Sequence, residues 1–178
     1  MARAENRAPY VRPVEIASVV DRVVREIRRS ILTGALQPGQ QFSLREIAGR
    51  SCQMLREPDF ARLEESVKMF GDERLSIDEI YSAHHAFHLD LLRPAATTWD
   101  LRTLEGLWHA SERYIRLAFG GLDPQPEEHR RRGRAHAALL EVFRSGDPER
   151  VADAVLKHLA VNEQIAQQAL GPLDSLAT

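Results

Sequence analysis

The chain has 178 residues, 43% hydrophobic and 28% charged, the balance of an ordinary globular domain and not of a disordered one. No run of about 18 apolar residues occurs, the N-terminus lacks an apolar signal region, and Cys52 is the single cysteine. A membrane-spanning helix, an export signal and an internal disulfide are therefore not expected, and a reducing, cytoplasmic setting is. The net charge of -2 hides an asymmetry: residues 1–56 hold ten Lys and Arg against five Asp and Glu, and the rest of the chain holds fourteen against twenty-one. A basic end suited to a polyanion joined to an acidic body is the organisation this implies.

Residues 1–13 are polar, contain Pro9 and Pro13, and read as a flexible arm. From residue 14 the apolar positions Ile16, Val20, Val23, Ile27 and Ile31 recur every three or four residues, predicting a helix that Gly34 closes before a Pro38-Gly39 turn. Arg22, Arg25, Arg28 and Arg29 fall largely on its other faces, where they serve as a solvated surface. Ser43 followed by Glu46 predicts the cap of a second helix with Leu44 and Ile47 inward. Residues 51–58 carry no strong pattern, and Pro58 reads as a stop.

The spacing then predicts helices over 60–70, from the Ser76–Glu79 cap to residue 92, over 98–119, over 127–145 and over 149–169. Pro94 follows the second of these, and Gly146-Asp147-Pro148 separates the last two. No segment keeps a strand period, so the expected fold is all-α, with an antiparallel helical bundle as its body.

The residues Ile27-Arg28, the run Ile31 to Gly39 and the stretch Leu44 to Ala48 resemble the opening of the winged helix-turn-helix of GntR family transcriptional regulators. Phe87-His88, His136, Gly146-Asp147 and His158 resemble the FCD effector-binding domain that many such regulators carry. The resemblance implies a partial DNA-binding region over 14–56, an FCD-like effector bundle over 57–170 and a tail over 171–178. It also implies a homodimer, an operator as partner, and a small organic acid as effector. The family's recognition helix, with its Ser-Arg-x-Pro-Val-Arg stretch, has no counterpart here, and neither does the two-stranded wing. Base edges are read by that second element of the motif, so the expected DNA binding is weakened or lost. Arg45, in the first turn of the second helix, and Arg50 are the candidate phosphate contacts.

Seven histidines are present. His84 and His88, four residues apart, project from one face of a helix and form a pair that can grip one metal ion. His136 stands ten residues before Gly146 and His158 twelve after it, at similar depth on two helices folded back around that turn. The FCD resemblance implies a metal held by one aspartate and three histidines, and maps those ligands to His84, His88, His136 and His158. His84 occupies the aspartate position. Exchanging carboxylate for imidazole moves the preference from manganese or magnesium towards zinc or nickel, and four imidazoles can close a tetrahedral shell. His85, about 100° round the helix from His84, is expected at the surface or behind the ligands, and His109 and His129 at the surface or in loops.

Arg113 and Arg116 are candidates for a carboxylate clamp on the effector. The run Arg130, Arg131, Arg132 and Arg134 is expected on the exposed side of its helix. No phosphate-binding glycine loop and no nucleophile in a recognised setting occurs, and no general base stands at a known spacing from the histidines. The chain therefore reads as a regulator and not an enzyme.

Overall fold

The computed structural model describes residues 43–170 together with Val24, Arg25, Arg28, Arg29 and Thr33, apart from the side chains of Arg113, Tyr114, Ala169 and Leu170. Six helices make up that region: Leu44–Ser51 (α1), Glu57–Phe70 (α2), Ile77–Leu92 (α3), Thr98–Phe119 (α4), Pro126–Arg144 (α5) and Pro148–Leu170 (α6). No strand occurs among the described residues. None of the described helices is long and apolar enough to cross a membrane. The expected arm over 1–13, the tail over 171–178 and most of the helix over 14–33 lie outside the described residues. Val24, Arg25, Arg28 and Arg29 are helical and exposed.

Local chemistry sets the boundaries. The Ser43 hydroxyl accepts from the Glu46 N–H at the start of α1. Ser76 and Glu79 form a reciprocal cap on α3, the Glu79 carboxylate accepting from the Ser76 N–H at 2.8 Å. Thr97 and Asp100 do the same on α4, with Asp100 buried. Gly146 takes the left-handed φ of 67° that its turn demands, and Asp147 then accepts from the N–H groups of Glu149 and Arg150 to start α6. Pro58 begins a helix instead of stopping one: it lies in the first turn of α2, where its missing N–H is no loss.

The core is one cluster. Phe70, Phe87 and Phe143 are fully buried at its centre, with Leu63, Leu91, Leu140 and Val151 around them. α2 packs against α3 and α5, α4 against α6 and α3, and α5 against α6. Residues 44–51, read from sequence as the second helix of a DNA-binding motif, belong to this bundle. α1 packs chiefly on α6 and also on α3, and Ile47, Ala48, Cys52 and the following Leu55 are buried in the shared core. The Ser51 hydroxyl, fully buried, donates to the Leu91 carbonyl at 2.6 Å. The boundary expected at 56/57 thus falls between two helices that share one core.

Candidate metal centre

α3 supplies His84 and His88 from one face, α5 supplies His136 and α6 supplies His158. The two pairs come together: one candidate ligand atom from each ring lies within 4.8 Å of all the others. The Nε2 atoms of His84 and His136 are 2.8 Å apart, and that of His88 is 3.2 Å from both. Zn–N bonds of about 2.0–2.1 Å arranged tetrahedrally put ligand nitrogens roughly 3.3 Å apart, close to these separations.

Hydrogen bonding alone does not account for the cluster. His136 Nδ1 lies 2.7 Å from the Arg132 carbonyl oxygen, which only accepts, so this ring carries its proton on Nδ1 and leaves Nε2 bare. A neutral imidazole nitrogen either donates or accepts. Three nitrogens in mutual contact therefore satisfy at most two of their three contacts, and the third sets lone pair against lone pair or proton against proton. A cation among them satisfies all three. The donor set fits a borderline divalent metal, and the Nδ1 bond of His136 is the support that metal-ligating histidines usually have.

The rings are held neutral, the form a metal ligand needs. Burial, reinforced by the neighbouring imidazoles and by Arg132, keeps His84 well below the ordinary histidine range, and burial with the neighbouring imidazoles does the same for His88. Burial, with His158 alongside, brings His136 down to about 3. Burial, with Arg131 nearby, brings His158 down to about 4. His158 Nε2 also lies 3.2 Å from the Asn162 amide nitrogen. Phe70 backs the cluster with its ring edge-on to His136 at 4.9 Å and to His84 at 5.6 Å. His85 turns away and stacks on Trp108, with centroids 4.7 Å apart and planes 4° from parallel.

The four histidines line a cavity of about 300 Å³ between α3, α4, α5 and α6, which also reaches Tyr81, Trp108, Arg131 and Arg132. The arginines expected at the effector are placed differently. Arg116 is outside this cavity, paired with Asp78 at 2.6 Å and Glu112 at 3.0 Å, its guanidinium 4.7 Å over the Tyr81 ring. The Arg113 side chain lies outside the described residues. Arg132, expected on the exposed side of its helix, is buried and bound to Asp123 at 2.6 Å. His129, expected at the surface, is buried and donates from Nε2 to the Asp123 carbonyl at 2.8 Å. Both errors trace to one loop: residues 120–125 fold back and present Asp123 to α5, a contact no helical period announces. Tyr81, also unsuspected, donates to the other Asp123 carboxylate oxygen at 3.1 Å.

Of the two candidate DNA contacts only Arg45 is ion-paired, and Arg50 is exposed. Arg45 bridges Glu149 and Asp153 on α6, and Arg50 reaches the Ala95 carbonyl at 3.4 Å.

An all-α bundle with convergent imidazoles beside an interior cavity has the architecture of a ligand-sensing domain. Residues 45–161 match the FCD domain family, and the chain belongs to it. The FCD domain is the C-terminal effector domain of GntR-family regulators, which are not enzymes. The match begins within the stretch 14–56 that the sequence assigned to DNA binding, in accord with the packing of α1. No curated protein and no solved structure matches the chain.

Proposed function

We propose that this chain is the sensing part of a GntR-type transcriptional regulator in which His84, His88, His136 and His158 hold a divalent metal, zinc or nickel, beside a cavity for a small organic acid. The observation that carries this reading is the convergence of four neutral imidazoles, three of them in contacts that hydrogen bonds cannot jointly satisfy. A bound metal supplies positive charge that attracts an anionic effector. The residues contribute the rest: Arg132 orients His136 through its carbonyl, and Phe70 fixes the imidazole planes from behind. In a homodimer, effector binding would shift the placement of the two N-terminal segments on an operator.

Elemental analysis of protein purified without an affinity tag tests the metal. About one equivalent of zinc or nickel per chain, lost in His88→Ala together with part of the thermal stability, is the expected result. Absence of metal with an unchanged melting temperature in His88→Ala would overturn the reading.

One observation favours a second reading, a metal- and ligand-binding domain without sequence-specific DNA recognition. The stretch that resembles the second helix of the DNA-binding motif buries Ile47 and Ala48 in the bundle core, and its Arg45 is paired with Glu149 and Asp153 on α6. A mobility-shift assay with upstream and random DNA at two salt concentrations separates the two. Preference for upstream DNA supports the regulator, and no binding at low salt supports the second reading.

A further inference from the structure

The four histidines are not equivalent. His84, His88 and His136 meet through their Nε2 atoms, at separations of 2.8, 3.2 and 3.2 Å. His158 packs its ring beside two of them, with centroids 4.7 Å from His136 and 5.2 Å from His88. Its Nε2, however, is engaged elsewhere, by the Asn162 amide nitrogen at 3.2 Å. With His158 included, the limit on the distances between ligand atoms widens to 4.8 Å, against roughly 3.3 Å in a closed tetrahedral zinc shell.

The Asn162 contact has a chemical consequence. An amide nitrogen only donates, so His158 Nε2 accepts, and the proton of the neutral ring sits on Nδ1. Neither nitrogen of His158 then has a lone pair to give a metal. His136 is the opposite case: its Nδ1 proton goes to the Arg132 carbonyl, and its Nε2 stays bare. Residues 158 and 162 are one turn apart on α6, so the contact forms within a single helix and needs nothing from α3 or α5. Asn162 has a second way to satisfy the same ring. Turned over, its side-chain oxygen accepts from Nε2–H, and the lone pair of His158 moves to Nδ1. His158 becomes a metal donor only when Asn162 releases Nε2 or turns over.

We infer that the centre has a constant part, the Nε2 atoms of His84, His88 and His136, and a conditional fourth ligand, His158, which Asn162 holds in reserve. Asn162 is a positioning residue that acts through His158, and it sets how much of the zinc affinity is available. The inference rests on the reading that the histidines hold a divalent metal.

Zinc titration of the full chain against a chromophoric chelator, in a double-mutant cycle over positions 158 and 162, is the test. Recruiting His158 costs the wild-type protein one hydrogen bond, so Asn162→Ala should bind zinc about 3- to 10-fold more tightly. The gain should vanish when the same exchange is made in His158→Ala, since Asn162 then has no ring to hold back. A side chain that merely supports a standing ligand gives the opposite sign, a loss of about 10- to 100-fold in Asn162→Ala. The second measurement uses the metal-free protein and does not depend on any substitution at position 162. Long-range nitrogen–proton correlation of the imidazoles, with His158 assigned from its absence in His158→Ala, should show the His158 proton on Nδ1. Zinc that is bound less tightly or equally well in Asn162→Ala, a gain that persists in His158→Ala, or an Nε2–H tautomer of His158 would each overturn the inference and leave the metal reading standing. A wild-type chain that takes up no zinc would overturn both.

Discussion

Gly49 of α1 runs so close to Pro148 at the start of α6 that a Cβ at position 49 would lie 3.1 Å from the Pro148 carbonyl oxygen. The obstacle is backbone, which cannot swing aside as a side-chain tip can. Gly49→Val should therefore destabilise the whole bundle by about 1–3 kcal/mol, measured by urea denaturation followed by circular dichroism. A silent substitution would mean that α1 does not dock on α6 in solution.

Phe70 is fully buried, and its ring meets His84, Phe87 and His136 edge-on. Truncation in Phe70→Ala removes a core aromatic and the backing of two candidate ligands together. Stability should fall by about 3–5 kcal/mol. Zinc affinity should fall by about 10- to 100-fold, as for lost supporting contacts at other metal sites. Calorimetric zinc titration of protein shown to be folded reads the second effect separately from the first.

Exchanging His84→Asp restores a carboxylate to the cluster without removing a ligand. Metal binding should persist, while the preference moves from zinc towards manganese. Competition between the two ions, read by mass spectrometry of the intact protein, checks the direction. An unchanged zinc-to-manganese ratio would exclude His84 from the ligand set.

The pH dependence has a definite sign. His136 and His158 titrate near 3 and 4 in the fold, against about 6.5 in an unfolded chain, so the unfolded state binds more protons below neutrality. The stability these residues contribute is complete above about pH 7 and is lost as pH falls through 6.5 towards 4. Urea midpoints of the metal-free protein should decline across that range, and metal uptake should decline with them, since protons compete for the same nitrogens. A midpoint that rises on acidification would be incompatible with neutral buried imidazoles.

Much of this was legible in the sequence, for physical reasons. Helices α3 to α6 announce themselves by long apolar periodicity bounded by strong caps, as with Ser76 and Glu79 or Gly146 and Asp147. The histidines were legible in two steps: a four-residue interval pairs His84 with His88, similar displacements from a tight turn pair His136 with His158, and the FCD resemblance joined the two pairs. Arg132 was not. Its burial depends on Asp123, supplied by a loop whose path no period encodes, and a run of four cations reads as solvated when each is taken alone. α1 was misassigned for a related reason: its local pattern suits any amphipathic helix, and only the exposed or buried state of its partner surface says which domain claims it.

The charge asymmetry between the two ends of the chain has its physical counterpart in Arg45, which the acidic body neutralises with two of its own carboxylates, Glu149 and Asp153. A polyanion that recruits Arg45 must take it from those carboxylates. The two ion pairs are largely solvent-exposed and contribute little, so giving Arg45 up to a polyanion would leave α1 docked through its buried Ile47 and Ala48.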